Sequence, residues 1–154
     1  MSNASGWWRD DMQAVKTRAK PRYEENRDQM ALFHWLRTVR YQGQPLAAYA
    51  FHCPNGGYRQ YREAVRLKAM GVKAGIPDVA MMIPAKGFHG LFIELKSEAG
   101  KLSAEQKEVC EMLVEQGYFV RMARSWHEAA RIICDYLDLP ATVRPVDRLP
   151  AVVR

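Results

Sequence analysis

The first third of the chain shows apolar positions at helical spacing. Met30, Phe33 and Leu36 follow the three- and four-residue spacing of an amphipathic helix, and neighbouring apolar residues widen the stripe. The pattern predicts a helix over 24–40, which Gly43 ends. The mostly apolar and aromatic segment that follows, up to His52, indicates a short strand at its end.

After residue 70 the pattern of apolar positions changes from helical spacing to short apolar runs. Residues 79–83 form a continuous apolar run, as in a strand that is covered on both faces. Ser103 with Gln106, and Ser125 with Glu128, have the spacing of helix capping boxes. The remaining predicted elements are a helix over 61–70, strands over 79–83 and 91–96, a helix over 103–116, a strand over 118–122 and a helix over 125–137.

This order predicts an α/β protein with a central mixed β-sheet flanked by helices, in the order α-β-α-β-β-α-β-α. The 154 residues are enough for one domain, which we expect at 22–138. A flexible basic segment over 1–21 should precede it, and an extended tail with three prolines should follow over 139–154.

Composition limits the class of protein and the cellular compartment. No apolar run approaches a membrane span, and the first residues lack the pattern of a signal peptide. The three cysteines are widely spaced, without a CxxC pair, which favours buried free thiols over a zinc ribbon or a disulfide framework. We therefore expect a cytoplasmic protein. A net charge of +6 permits a polyanionic partner without requiring one.

Three charged residues interrupt the apolar hairpin. Glu94 and Lys96 share one face of a predicted strand, because side chains alternate across a strand. Asp78 stands at the start of the preceding strand, where hairpin pairing would bring it close to both. Alone, the Glu-x-Lys pair favours a solvated face of an edge strand, but Pro77-Asp78 sixteen positions earlier favours a functional cluster.

The chemistry of this cluster suits a divalent cation. Two adjacent carboxylates repel each other and stay ionised only with a cation between them. Hard oxygen ligands suit Mg²⁺ or Mn²⁺, which can polarise a phosphodiester and lower the pKa of a bound water. Lys96 can then orient the attacking water or stabilise the charge on the phosphate.

Several linked motifs resemble the VRR-NUC domain family of the PD-(D/E)xK nuclease superfamily, over roughly residues 24–137. They are 25–29 (ENRDQ), 54–57 (PNGG), 66–71 (RLKAMG), 71–78 (GVKAGIPD), 90–96 (GLFIELK) and 102–106 (LSAEQ). The resemblance implies a restriction-endonuclease-like core and a Mg²⁺- or Mn²⁺-dependent phosphodiesterase. It also implies a DNA endonuclease that acts on branched or flapped structures, in a bacterial or phage-infected host cell.

The resemblance assigns roles to five residues and one carbonyl. Asp78 and Glu94 are expected metal ligands, with the Leu95 backbone carbonyl as a third, and Lys96 is the expected catalytic lysine. Gln106 matches the family's glutamine on the following helix, and it can also serve as a capping-box partner. An acidic residue of the first helix should complete the metal site. Glu25 matches best, with Glu24 and a merely exposed helical carboxylate as the alternatives.

A basic stretch precedes the cluster. Six residues are candidates for nucleic-acid contacts: Asn55, Arg59, Arg62, Arg66, Lys68 and Lys73. Phosphate contacts are the expected role, and a solvated helix face is the alternative for each residue. The partner is thus expected to be DNA, and symmetric cutting of two strands would need a homodimer. The competing functions are a non-catalytic DNA-binding module that retains the fold and a purely structural interaction protein.

Overall fold

The computed structural model describes residues 23–54 and 61–145. The elements in chain order are α1 (Tyr23–Thr38), β1 (Arg40–Tyr41), β2 (Gln44–Pro45), a 3-10 turn (Leu46–Tyr49), β3 (Ala50–His52), α2 (Tyr61–Ala69), β4 (Val79–Met81), β5 (Leu91–Leu95), α3 (Ala104–Glu115), β6 (Phe119–Ala123), α4 (Trp126–Tyr136) and a second 3-10 turn (Ala141–Val143).

The central sheet has four strands in the order β3-β4-β5-β6. Strand β4 pairs antiparallel with β3 and with β5, whereas β5 pairs parallel with β6. The parallel pair is joined through α3, as a crossover requires. The predicted α/β class, with a mixed sheet flanked by helices, is confirmed.

Two layers of apolar side chains cover the sheet on opposite faces. Ile93 and Leu95 of β5 pack with α1 and α4 in the larger core. Phe92, which points the other way, packs against the smaller cluster that α3 forms with β6. Glu94 continues the Phe92 face and is therefore directed toward α3, as the alternation of a strand requires.

A two-stranded ribbon, β1 with β2, is an addition to the predicted order. Gln42 and Gly43 connect the strands with φ of +48° and +81°, the backbone signature of a tight hairpin turn. Gly43 thus serves as a turn residue of this hairpin as well as following the end of the helix. The short strand expected at the end of the next segment is β3, preceded by the 3-10 turn.

The boundaries and caps differ in detail from the predictions. Strand β4 ends at Met81 and β5 at Leu95, so Lys96 lies one residue beyond the strand. The capping box of Ser103 and Gln106 is confirmed in both directions. The predicted box at Ser125 is only half formed. Its side chain accepts from the Glu128 backbone N–H, but the Glu128 carboxylate takes the Arg124 N–H at 2.7 Å.

The predicted N-terminal segment, 1–21, lies outside the described residues. The described beginning of the predicted C-terminal tail carries the second 3-10 turn, where the Val143 carbonyl accepts a hydrogen bond from Trp35 Nε1 at 3.2 Å. Cys110 and Cys134 are buried free thiols as predicted, whereas Cys53 is only half-buried. Within the described ranges, no helix has the length and hydropathy needed to span a bilayer.

Candidate active site

Asp78, Glu94 and Lys96 converge at the open end of the β4–β5 hairpin. Val79 pairs with Ile93, so Asp78 stands opposite Glu94 one step further along the same register. The Leu95 backbone N–H donates to Asp78 Oδ2 at 2.9 Å, which anchors that carboxylate to the neighbouring strand. Lys96 Nζ lies 2.9 Å from Glu94 Oε1. The three residues thus form one contiguous cluster.

The cluster opens into a polar pocket of about 220 Å³. It is lined by Glu25, Asn26, Gln29, His52, Ile76, Asp78, Glu94, Leu95, Lys96 and Gln106. Since one water occupies about 30 Å³ in the liquid, this volume has room for a small cation with several waters. The pocket therefore gathers all five predicted catalytic side chains.

The electrostatics of the pocket disfavour two bare carboxylates. Glu94 is only 3% exposed. Burial, followed by repulsion from Asp78, raises the pKa of Glu94 to about 7, against the opposing effects of Lys96 and Gln106. Burial also raises the pKa of Asp78, against the hydrogen bond from Leu95. A cation between the two carboxylates would favour their ionised forms.

Gln106 reaches the cluster from the first turn of α3. Its Nε2 donates to Glu94 Oε1, while its Oε1 accepts from the Ser103 backbone N–H at 3.0 Å. Gly75 has a φ of +80°, and a Cβ there would lie 2.7 Å from the Glu105 carbonyl oxygen. Only glycine permits this close approach, which brings the segment before Asp78 against the start of α3.

Glu25 enters the pocket from α1. Its Oε1 accepts a hydrogen bond from the Ser97 N–H at 3.0 Å, just after Lys96. Its charge is one of the influences that raise the pKa of Asp78, after the larger effect of burial. The structure thus places Glu25 at the pocket, with one oxygen engaged by the backbone. The side chain of the alternative residue, Glu24, lies outside the described residues.

Four lining residues, Asn26, Gln29, His52 and Ile76, are not among the predicted site residues. His52 Nδ1 lies 2.9 Å from the Asp78 carbonyl oxygen; because that oxygen only accepts, the ring donates through Nδ1. Gln29 lies one helical turn after Glu25. The sequence near His52 has no other metal-binding residue at the spacing of a metal site, so the local pattern does not predict His52 as a site residue. Pairing of its strand with β4 brings it to the pocket.

The predicted nucleic-acid residues are only partly described. Asn55 and Arg59 lie outside the described residues, whereas Arg62, Arg66 and Lys68 are exposed on α2. The Arg66 guanidinium pairs with Glu63 at 2.8 Å, so part of its charge is neutralised. Lys73 is also exposed, beyond the end of α2. No residue of α2 is buried.

The oxygen-bearing groups suited to a divalent ion are the carboxylates of Asp78, Glu94 and Glu25, which line the pocket, with Leu95 and its backbone carbonyl beside them. This hard donor set fits Mg²⁺ or Mn²⁺, which retain several waters. Among the described residues, no group of three or more His, Cys, Asp or Glu side chains is already arranged to hold a metal. The carbonyl and waters would therefore have to complete the coordination.

Comparison with known proteins matches these observations to a family. The family model of the VRR-NUC domain matches residues 15–126. A solved structure described as a VRR_NUC domain protein superposes with a TM-score of 0.67 at 31% sequence identity, covering 80% of this chain and 93% of that chain. The search of curated proteins gives no match. The chain belongs to the VRR-NUC domain family, a family of nuclease-like domains.

Proposed function

We propose that this protein is a metal-dependent DNA endonuclease that hydrolyses phosphodiester bonds in branched or flapped DNA. The observation that carries the proposal is the position of Asp78, just before β4, opposite Glu94 of β5 and beside Lys96. A buried carboxylate whose pKa is raised to about 7 costs free energy when it ionises without a cation. In a nuclease-like family, such paired carboxylates are suited to binding the catalytic cation.

Asp78, Glu94 and the Leu95 carbonyl are the proposed ligands of Mg²⁺ or Mn²⁺, with Glu25 completing the acidic set. When bound, such an ion would polarise the phosphodiester, lower the pKa of the attacking water and offset negative charge on the phosphate. Glu25 also holds the Ser97 N–H. It thereby fixes the chain immediately after Lys96 at the edge of the pocket.

Lys96 and Gln106 both act on the reacting groups through their position beside Glu94. Lys96 keeps its ammonium at the pocket, where it orients the attacking water and stabilises the charge that develops on the phosphate oxygens. Gln106 and Lys96 both hold Oε1 of Glu94, which fixes this carboxylate at the pocket. Water then adds to phosphorus, one P–O ester bond breaks, and the departing oxygen takes up a proton.

The exposed basic side chains on and after α2 are the proposed phosphate contacts. Arg62, Lys68 and Lys73 supply positive charge just upstream of Asp78, and Arg66 adds a guanidinium shared with Glu63. Asn55 and Arg59 are proposed as further nucleic-acid contacts. A homodimer would present two such sites to the two strands of a branched substrate.

Cleavage assays test the proposal directly. The purified full chain is incubated with Mn²⁺ and with labelled four-way junction, flap and plain duplex DNA of matched sequence. We expect cleavage of the branched substrates, and loss of cleavage in Glu94→Ala. If no substrate is cut, and Glu94→Ala behaves like the parent, the chain is not a nuclease. DNA binding without cutting would instead indicate a non-catalytic binding module.

Metal binding is measured separately by calorimetry. We expect the parent to bind Mn²⁺ and Asp78→Asn to lose this binding, because the variant lacks one carboxylate charge of the ligand set. Equal Mn²⁺ affinity in both proteins would contradict the proposed ligand set. Sedimentation measurements on free and DNA-bound protein distinguish a homodimer from a monomer.

A further inference from the structure

Gln29 has the one buried side-chain polar atom that lacks a hydrogen-bond partner in the part of the chain that the structure describes. The atom is Nε2 of its amide. Buried donors in folded proteins are almost always paired, because an unpaired donor loses its bonds to water and gains nothing in return. An unpaired donor at a functional pocket therefore calls for an explanation.

The location of Gln29 suggests what its partner is. The residue lines the pocket that holds Asp78, Glu94 and Lys96. It stands four residues after Glu25 on α1, so the two side chains share one face of the helix. The donor therefore belongs to a residue that lines the candidate catalytic centre, where a substrate group would arrive.

Each acidic side chain of the same pocket has one oxygen engaged by another donor. Asp78 accepts from the Leu95 N–H, Glu94 from Lys96 and Gln106, and Glu25 from the Ser97 N–H. None of these carboxylates accepts a hydrogen bond from Gln29 Nε2, and a ligand bound in the pocket can supply the acceptor. A phosphodiester supplies two non-bridging oxygens, which are strong acceptors.

The neutrality of the amide also fits this role. An arginine or lysine at this position would pair with Glu25 and offset the negative charge that the proposed cation needs. A glutamine donates a hydrogen bond without adding charge, so it can hold a phosphate oxygen without competing with the metal. An apolar residue of the same length would avoid the unpaired donor but would offer the substrate nothing.

We propose that Gln29 is a substrate-contacting residue, whose Nε2 donates a hydrogen bond to a non-bridging oxygen of the phosphodiester bound in this pocket. The inference rests on the proposed nuclease function. It adds a contact from α1 to a site otherwise built on the β4–β5 hairpin and α3. On this proposal the amide nitrogen donates to the phosphate oxygen when DNA binds.

The test is Gln29→Met, which keeps the length and helix propensity of the side chain and removes the donor. We expect the metal-free variant to unfold at the same temperature as the parent or higher, since no hydrogen bond is lost. Its Mn²⁺ affinity should be unchanged. Its single-turnover cleavage rate should fall about ten- to a hundredfold, as expected when a hydrogen bond to a charged acceptor is removed. Gln44→Met, an exposed position on β2, serves as the matched control and should behave like the parent.

Two results would overturn the inference. One is a Gln29→Met variant that cleaves and binds DNA as the parent does. The other is a loss of cleavage that tracks an equal loss of Mn²⁺ affinity, which would mean that the amide supports the metal site. If the parent itself cuts no DNA, the proposed function fails, and Gln29 is judged on DNA affinity alone. Weaker binding by Gln29→Met then supports the contact, and equal binding overturns it.

Discussion

Glu94 is the most constrained side chain of the site. It is buried, it contacts both Lys96 and Gln106, and it faces Asp78 across the hairpin. Each partner arrives from a different segment: Asp78 precedes β4, Lys96 follows β5, and Gln106 belongs to α3. The ionisation of Glu94 therefore links the stability of the metal-free protein to pH.

The sign of that linkage follows from the direction of the shift. The pKa of Glu94 rises from 4.5 to about 7 on folding, so the folded state holds its proton more tightly. The stabilisation of the folded state by this tighter proton binding is complete below pH 4.5 and is lost as pH rises through 7. Unfolding of metal-free protein in urea, from pH 4.5 to 8, should show a loss of up to about 3 kcal/mol from this group. Glu94→Gln should flatten that dependence, and parallel profiles for the two proteins would contradict it.

The site residues differ in how well they can be predicted from the sequence. Asp78, Glu94 and Lys96 follow from strand alternation and hairpin pairing, because both act over short distances along the chain. Gln106 is assigned to the site by the family resemblance, whereas its capping spacing predicts only its place in the first turn of α3. Gln29 and His52 are not predicted as site residues, because their position at the pocket depends on how α1 and β3 pack against the hairpin. Such long-range packing leaves no local pattern.

At the scale of elements, the segment between β5 and α3 connects the parts of the site. Arg124, just after β6, donates from Nη1 to the carbonyls of Ser97, Glu98 and Gly100 at 3.1, 2.7 and 3.3 Å. The same segment presents the Ser97 N–H to Glu25. One arginine thus holds the turn that carries the chain from Lys96 toward α3.

Removal of this guanidinium should loosen both the fold and the site. We expect Arg124→Met to lower the free energy of unfolding by about 1–3 kcal/mol, because partly buried carbonyl oxygens lose a charged donor. Mn²⁺ affinity should fall as well, since Glu25 loses its fixed backbone partner. Urea unfolding and calorimetry measure the two effects. Arg37→Met, at an exposed position in the last turn of α1, is the control and should change neither quantity. If Arg124→Met has the stability and Mn²⁺ affinity of the parent, the turn is stable without the guanidinium.

Element prediction succeeds where caps and apolar runs are local. The capping box at Ser103 and the glycine after α3, with a φ of +83°, mark that helix at both ends. The β1–β2 ribbon is not predicted, because two residues per strand offer no alternation to detect. Its turn at Gln42 also lacks the usual Asn or Asp that signals a tight hairpin.

On the scale of the whole molecule, charge and exposure single out α2. Every residue of this helix is at least partly exposed, and the Tyr61 side chain is 84% exposed. The helix therefore gains little from the core, and its basic side chains face solvent. A helix that is lightly packed and positively charged is suited to binding a polyanion that covers it.

Charge reversal on α2 tests this assignment. Arg62→Glu and Lys68→Glu should each weaken DNA binding to a similar extent for all sequences, because phosphate contacts carry no base information. The slope of log affinity against log salt should fall by about 0.9 for each phosphate that the variant protein no longer neutralises. Lys86→Glu is the control, since Lys86 lies in the β4–β5 turn, at the opposite end of the hairpin from Asp78, and forms an ion pair with Asp138 at 2.8 Å. Its reversal should leave the salt slope unchanged, whereas equal slopes for all three variants and the parent would place the DNA on another face.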